Sequence, residues 1–398
     1  MRVHPSFRNI GMSKIVEVSE NARLRAPEFE SRTGQPFIYF QRGEVGYPVA
    51  PFIADGLQEA IQKGWTKYPK SGGESFYKQA VIQDLAHRGV ENIQPENVLA
   101  TCGGQEGLQL VFSYFRGKTC AGFTPCWGCM FDNIFPYTET NFIPVPLRAA
   151  DGWSIDFELV EKALPSADTF YFNNPHNPTG RVFPRADVER LCGLCAKYGV
   201  LLVCDEAYRD LVFTGEYSTP IADERFQNIV AVTTFSKAFA ATGFRIGYTV
   251  CRRAELIDYL TRGEYTQTAG VPTPIQYAFA KAMGSPACAA WTKDYKAEMR
   301  ARARAMADHL DPRLKAHAPE GAFYCFINLA PDGTPEQDLL SHEKGMVERL
   351  MNSGIAVVPG SAFGRSCAGY ARLSFSTLPV NLIEQGVARF NKVVLGEL

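Results

Sequence analysis

One lysine stands where its side chain could carry out covalent chemistry. Lys237 and its neighbour Ser236 follow an apolar run at residues 229–233, and Arg245 stands eight residues beyond Lys237. A lysine amine at the end of a strand can form a Schiff base with a carbonyl group, and a nearby arginine can hold a phosphate through two parallel hydrogen bonds. This combination indicates a site for pyridoxal 5'-phosphate (PLP). The alternative is a solvated lysine and arginine on a surface turn, so the rest of the chain must decide.

Three earlier loops carry residues that suit the same ligand. The turn Gly103-Gly104-Gln105 ends a predicted strand and begins a helix, and free amide N–H groups at such a helix start attract anions. Trp127 follows the next strand, where it either fills the core or stacks on an aromatic ring. Asn177 lies in a turn between prolines that can present its amide as a hydrogen-bond donor.

A carboxylate at the end of a further apolar run strengthens this interpretation. Asp205 directly follows residues 200–204, and an unpaired carboxylate at the end of a buried strand costs about several kcal/mol. A pyridinium N–H would be a suitable partner, and the carboxylate would keep that nitrogen protonated, which makes the ring a better electron sink. Tyr208, three residues on, can reach a ring hydroxyl. A structural ion-pair network would explain Asp205 alone, but not the whole series of residues.

The composition is that of an ordinary globular protein. The chain has 398 residues, a net charge of -1 and 46% hydrophobic residues, which predicts about two domains with a sizeable core. No excess of basic residues favours a nucleic acid or a membrane surface as partner. The first residues lack the apolar stretch of a secretory signal, and no run is long enough to cross a bilayer, so we expect a cytoplasmic protein.

The cysteines and histidines do not indicate a metal centre. Eleven cysteines form an odd number scattered along a long chain, which argues against a disulfide framework. Cys126 with Cys129 and Cys192 with Cys195 have C-x-x-C spacing, but the two pairs are much further apart than in compact zinc ribbons. The second pair lies in a helical pattern, and we interpret both pairs as structural. The six histidines lack metal-binding spacing, so we predict no metal site.

The order of the predicted elements indicates an α/β fold. Short apolar runs alternate with helical patterns, which predicts a mostly parallel sheet with helices on both faces and ligands beyond the carboxyl ends of the strands. We expect an N-terminal arm that also joins the small domain (1–48), a large domain (49–285) and a small α+β domain (286–398). The expected strands are 98–101, 119–123, 141–145, 169–172, 200–204, 229–233 and 247–251; we also expect a short helix at 15–25 and a Ser71 cap on the helix that ends at His87.

Taken together, these motifs resemble the PLP-dependent aminotransferases of fold type I, class I/II, over roughly residues 35–376. The lysine segment fits the attachment signature except at Thr234, where glycine or serine is expected. The resemblance implies a homodimer that moves an amino group between an amino acid and a 2-oxo acid by a ping-pong mechanism. PLP-dependent lyases, β/γ-replacement enzymes and cyclising synthases use the same set of residues and remain alternatives.

The resemblance also implies a role for each motif residue. Lys237 is the Schiff-base lysine and acid/base catalyst, and Asp205 partners the ring nitrogen. Tyr68 reaches the phosphate from the other subunit. The other implied cofactor-binding residues are Gly103, Gly104, Gln105, Trp127, Asn177, Tyr208, Thr234, Ser236 and Arg245; those for the substrate are Arg372 on the α-carboxylate, with Gly43 and Asn177.

The substrate side chain is the remaining question. Dicarboxylate-specific relatives carry an arginine on the loop before the crossing to the small domain. We place that loop at residues 262–272, where the matching position is Tyr265 and Arg262 lies three residues away. A distal carboxylate without a cation loses more than about a hundredfold in specificity. We therefore expect aromatic, aliphatic or neutral polar amino acids to be better donors than aspartate.

Overall fold

A computed structural model describes residues 4–398, and its main feature is a seven-stranded sheet. All seven strands expected from the apolar runs are present, each within one residue of its predicted bounds. In chain order the strands are β1 (Ile38–Tyr39), β2 (Val98–Thr101), β3 (Thr119–Thr124), β4 (Asn141–Pro146), β5 (Thr169–Asn173), β6 (Leu201–Asp205), β7 (Ile229–Thr234), β8 (Gly247–Cys251), β9 (Tyr324–Asn328), β10 (Ile355–Ala356), β11 (Val358–Pro359) and β12 (Tyr370–Ser374).

The large sheet is mostly parallel, as predicted. Its strand order is β2-β8-β7-β6-β5-β3-β4, and β8 alone runs antiparallel to both of its neighbours. The parallel register places Asn173 opposite Asp205 and Asp205 opposite Val232, so the carboxyl ends of β5, β6 and β7 meet at one edge. Residues just beyond these ends therefore converge.

Helices cover the sheet and build the rest of the molecule. Their hydrophobic faces pack on strands that are buried along their whole length, such as β5 to β8. In chain order they are α1 (Pro5–Arg8), α2 (Lys14–Thr33), α3 (Pro51–Gln62), α4 (Ser75–His87), α5 (Gly103–Tyr114), α6 (Phe135–Thr138), α7 (Phe157–Ala163), α8 (Arg185–Lys197), α9 (Phe235–Ala238), α10 (Ala254–Thr268), α11 (Thr273–Met283), α12 (Pro286–His309), α13 (Glu336–Asn352) and α14 (Val380–Val394).

Two local predictions were wrong. Helix α2 has 20 residues and continues through Pro27, so the short helix predicted at 15–25 is only its first half. Its extension depends on tertiary packing, because Ala26 and Phe29 are buried against β10 and α13 residues of the other chain end. Ser71 does not cap α4: that helix begins at Ser75, and Glu74 occupies the N-cap position.

The second body of the structure combines the C-terminal residues with the N-terminal segment. Strands β11, β12 and β9 form an antiparallel sheet, and β1 pairs in parallel with β10. The side chain of Phe29 on α2 packs in one cluster with Met351 and Ala356. The proposed division at residues 48 and 285 stays a prediction.

The cysteines and helices agree with an ordinary protein interior. Cys192 and Cys195 are buried on α8 within the main hydrophobic core, where the helical pattern had placed them. All eleven cysteines are free. Among residues 4–398, each helix is too short or too polar to pass through a lipid bilayer.

Candidate active site

A cavity of about 230 Å³ opens at the carboxyl edge of the large sheet. Tyr324 and Arg372, on β9 and β12, complete its wall, so both bodies of the structure contribute to it. A wider depression of about 800 Å³ elsewhere on the surface contains none of the predicted site residues. The predicted residues that line the cavity are Gly43, Gly104, Gln105, Trp127, Asn177, Asp205, Tyr208, Thr234, Ser236, Lys237, Arg245 and Arg372.

Lys237 reaches the cavity from the short helix that follows β7. The Thr234 hydroxyl accepts a hydrogen bond from the Ser236 amide at 3.2 Å, which starts the helical turn that carries the lysine. Lys237 Nζ donates to the carbonyl oxygen of Gly43 at 2.6 Å. Burial, and after it the positive charge of Arg372, lower the pKa of this amine to about 8. A substantial fraction of Lys237 is therefore the neutral, nucleophilic amine slightly above neutral pH.

Asp205 ends β6 with both carboxylate oxygens hydrogen-bonded. Tyr171 Oη donates to Oδ2 at 2.8 Å, and the amide of Ala207 donates to Oδ1 at 3.1 Å. The residue is 6% exposed, and burial raises its pKa to about 6. A cation or an N–H donor in the cavity would stabilise the ionised form.

Arg372 is a buried cation without an acidic partner. Its guanidinium donates to Asn177 Oδ1 at 3.2 Å and to the carbonyl oxygen of Gln41 at 2.9 Å. The side chain is 1% exposed, its Nε has no hydrogen-bond partner in the described chain, and no Asp or Glu of residues 4–398 lies within 4.0 Å. Since an uncompensated buried charge is unfavourable, this position favours an anionic ligand, and a carboxylate matches the guanidinium in geometry.

Asn177 and Tyr208 present polar groups between the acid and the arginine. Asn177 Oδ1 is occupied by Arg372, so its amide Nδ2 is the end that can donate into the cavity. The Tyr208 hydroxyl lies 2.9 Å from the hydroxyl of Tyr324. One phenol can therefore donate its proton to the other, and the second phenol can donate its own proton to a ligand oxygen.

The opposite end of the cavity is suited to an anion. Gly104 and Gln105 begin α5, a helix of 12 residues, and Arg245 lies beside this positive end. Gly103 has φ +77, and a Cβ on it would lie 2.9 Å from Arg245 Nη2, so only glycine allows the guanidinium to approach. The Thr234 hydroxyl donates to Ser236 Oγ at 2.9 Å, which leaves the Ser236 proton free for a ligand.

Comparisons with known proteins identify the family. The model of the family described as aminotransferase class I and II matches residues 36–390. The chain belongs to this family. It is an aminotransferase, an enzyme that transfers amino groups.

Individual relatives agree over nearly the whole chain. An aspartate aminotransferase of Pyrococcus horikoshii is 28% identical over 89% of this chain and 90% of its own. An aspartate/prephenate aminotransferase of Thermus thermophilus is 28% identical over 96% of this chain and 99% of its own. The structure of Thermus thermophilus aspartate aminotransferase with maleate superposes with a TM-score of 0.87 at 27% identity, covering 99% of this chain and 100% of that one. The fold is therefore that of fold type I aminotransferases.

Several residues of this aminotransferase cavity were missed by sequence reasoning. Tyr324 lies on β9, and nothing in the sequence says that this strand faces the cavity. Ile15 comes from helix α2, far away in the chain. The further lining residues are Leu108, Ala207 and Thr242.

Four residues considered in the sequence do not line this cavity: Gly103, Tyr68, Arg262 and Tyr265. Tyr68 is 92% exposed. The segment that holds Arg262 and Tyr265 is not a loop as predicted, since residues 262–268 belong to helix α10. Arg262 is exposed and pairs with Asp258 one turn earlier, and Tyr265 is 60% exposed. Neither residue lines the cavity of this subunit.

The coupling between Arg372 and Lys237 can be measured. Because the guanidinium lowers the pKa of the amine, Arg372→Gln should raise that pKa. The pH dependence of Lys237 acylation in the cofactor-free protein, followed by peptide mass spectrometry, reports the amine pKa. The matched control is Arg262→Gln, which removes an exposed arginine outside the cavity. An amine pKa that is the same in both variants would contradict the coupling.

Proposed function

We propose that this aminotransferase uses PLP, bound to Lys237 as a Schiff base, and exchanges an amino group between an amino acid and a 2-oxo acid in two half-reactions. The observation that supports this most directly is the convergence of three groups in one cavity: a buried amine of lowered pKa (Lys237), a buried carboxylate with no cation of its own (Asp205) and a buried guanidinium with no acid (Arg372). Each lacks the partner that a PLP–amino acid complex would supply.

The chemistry of the donor groups fits PLP from end to end. The start of α5, with Ser236 and Arg245, suits the phosphate. Asp205 suits a protonated pyridine nitrogen, which strengthens the ring as an electron sink. The other polar groups, the Asn177 amide and the Tyr208 hydroxyl, suit the ring oxygen. When bound, the cofactor would delocalise the electron pair that stays on the substrate α-carbon after a base removes its proton.

Two side chains have separate roles in the proposed reaction. Arg372 holds the substrate carboxylate and so fixes which bond of the α-carbon is broken. The Lys237 amine would be the base that takes the α-proton and the nitrogen that holds this proton until it is passed on. Its lowered pKa favours the free-base form that this transfer needs. In the cofactor-free protein the Lys237 amine donates to the Gly43 carbonyl oxygen at 2.6 Å, so the Gly43 loop lies beside the reacting group.

The Lys237 assignment is tested by substitution with product analysis. Adding each of a panel of amino acids to the wild-type enzyme should change the visible absorbance of the bound cofactor and release a 2-oxo acid. Lys237→Ala should lose the lysine-bound absorbance and nearly all turnover, because no other cavity residue supplies an amine. The control Lys315→Ala removes an exposed lysine paired with Asp332 and should behave as wild type.

Two results would overturn the assignment. Wild-type turnover by Lys237→Ala would remove that lysine from the mechanism. Ammonia, pyruvate or a cyclic product in place of a 2-oxo acid would indicate a lyase, a replacement enzyme or a cyclising synthase.

We also propose that the enzyme is a homodimer in which Tyr68 serves the partner's site. Tyr68 is 92% exposed, and the nearby Ile61 and Trp65 are 62% and 37% exposed, which leaves a group of apolar side chains uncovered. Such a group favours contact with another protein surface.

Subunit mixing tests this arrangement. Tyr68→Phe and Lys237→Ala subunits, mixed in equal amounts and allowed to exchange, should form heterodimers with one doubly altered and one intact site. Activity should then exceed that of either parent alone. Exchange can be verified by native mass spectrometry of differently tagged subunits. If exchange is complete and activity does not recover, Tyr68 does not act across the interface.

The lining of the cavity supports a neutral amino donor. Its basic side chains are Lys237, Arg245 and Arg372, which the amine, phosphate and α-carboxylate roles occupy. Ile15 and Leu108, by contrast, are apolar. Among the residues of this subunit that line the cavity, no further cation remains for a distal carboxylate.

The donor preference is measured by kcat/KM. Phenylalanine, leucine, methionine or glutamine should exceed aspartate, because a distal carboxylate would be buried without a partner. Ile15→Lys should raise kcat/KM for aspartate relative to leucine, whereas the uncharged control Ile15→Met should not. Aspartate exceeding the neutral donors by tenfold or more in wild type would contradict this preference.

A further inference from the structure

Tyr171 is a buried residue in contact with the site that the proposed mechanism leaves without a role. It lies on β5, it is 1% exposed, and its hydroxyl donates to Asp205 Oδ2 at 2.8 Å. The surrounding side chains include Leu108, Cys126 and Val203, which are apolar. Burial raises the pKa of the phenol well above its usual value, so Tyr171 remains a proton donor throughout the working range.

The sheet register explains why this contact forms. Tyr171 is opposite Val203 on β6, and Asp205 lies two residues further along the same face of that strand. Such diagonal neighbours are within reach of a long aromatic side chain. On the other side, Tyr171 is opposite Gly122 of β3, where a Cβ would lie only 3.3 Å from Tyr171 Cβ. A larger residue at position 122 would therefore crowd Tyr171.

The other ionisable groups around Asp205 do not replace this donor. Glu206, its neighbour in the chain, accepts from Thr219 Oγ1 at 2.5 Å and lies near Arg209. The Tyr208 hydroxyl is engaged with that of Tyr324. Three side chains affect the pKa of Asp205 through a hydrogen bond or a charge: Tyr171, Glu206 and Lys237. Asp205 in turn affects the pKa values of Cys126, Cys204, Tyr208 and Tyr324.

We propose that Tyr171 is a positioning residue that keeps the Asp205 carboxylate ionised and turned toward the pyridine nitrogen of the cofactor. This inference rests on the proposed PLP function. Asp205 and the ring nitrogen share one proton, and a hydrogen bond donated to the carboxylate lowers its proton affinity, which moves that proton onto nitrogen. The Ala207 amide supports the other oxygen, but as backbone it cannot be altered by substitution. Tyr171 is thus the adjustable donor that sets the charge of the ring.

The test follows the ring nitrogen directly. The wild type, Tyr171→Phe and Asp205→Asn are each reconstituted with PLP labelled with ¹⁵N at the ring, and the ¹⁵N chemical shift reports whether that nitrogen is protonated. Wild type and Asp205→Asn give the protonated and neutral references. Tyr171→Phe should shift toward Asp205→Asn, and its kcat should fall by about tenfold or more, the size expected for losing a hydrogen bond to a charged group, with KM little changed.

The matched control is Tyr248→Phe. Tyr248 is a fully buried tyrosine on β8 of the same sheet whose hydroxyl has no hydrogen-bond partner in the described chain. It should keep the wild-type ¹⁵N shift and kcat. Thermal unfolding of the cofactor-free variants separates loss of fold from loss of the hydrogen bond.

The outcomes distinguish this inference from the proposed function. A wild-type ¹⁵N shift in Tyr171→Phe, with Asp205→Asn shifted as expected, would overturn the role of Tyr171 alone. Equal shifts in wild type and Asp205→Asn, or no binding of PLP by wild type, would overturn the cofactor assignment itself. A fall in kcat that Tyr248→Phe shares would also count against Tyr171.

Discussion

The guanidinium of Arg372 is buried with no carboxylate beside it, and the arrangement of the cavity depends on how the fold holds this charge. Burying an ion without a counter-ion costs about several kcal/mol. Neutral groups offset part of that cost: Asn177 Oδ1 and the Gln41 carbonyl accept hydrogen bonds, and the rings of Tyr324 and Phe363 lie 4.3 and 5.1 Å from the guanidinium carbon. The part of this cost that the neutral groups do not offset favours binding of an anion. The same buried charge therefore lowers the stability of the empty protein and raises its affinity for a carboxylate.

The same arginine is connected to the acid at the other side of the cavity. Arg372 donates to Asn177 Oδ1, the Asn177 backbone N–H donates to Asn173 Oδ1 at 2.7 Å, and Asn173 Nδ2 donates to the Asp205 carbonyl at 2.9 Å. This path joins β12 to β5 and β6. The group suited to the substrate carboxylate and the group suited to the ring nitrogen therefore keep a fixed separation, which is what a reaction at the bond between them requires. The charge of Arg372 also acts on Lys237, because it lowers the pKa of that amine.

The two bodies of the structure contribute different things to the cavity. The parallel strands β5, β6 and β7 bring their carboxyl ends together, and short turns after them carry Asn177, Asp205 and Lys237. The antiparallel sheet of the second body supplies Tyr324 and Arg372 as a wall. The shape of the cavity therefore depends on how the second body packs on the carboxyl edge of the large sheet.

The sequence alone determined those features that depend on local patterns. Short apolar runs that alternate with helical patterns located the seven strands within one residue, since the strands of a mostly parallel sheet are largely buried and therefore apolar. The order of Gly103, Trp127, Asn177, Asp205 and Lys237 after those runs gave the resemblance to class I/II aminotransferases, which the family match confirms. Loops at the carboxyl ends of neighbouring strands meet at one edge of the sheet. Features that depend on residues far apart in the chain were decided only by the tertiary structure. Ser71 had the right residue type for a cap but not the backbone position. Helix α2 continues beyond its predicted end at residue 25 because Ala26 and Phe29 pack against the other chain end. The hydrogen bond from Tyr171 to Asp205 and the place of Ile15 in the cavity depend on strand register and on the docking of α2, neither of which leaves a local signal.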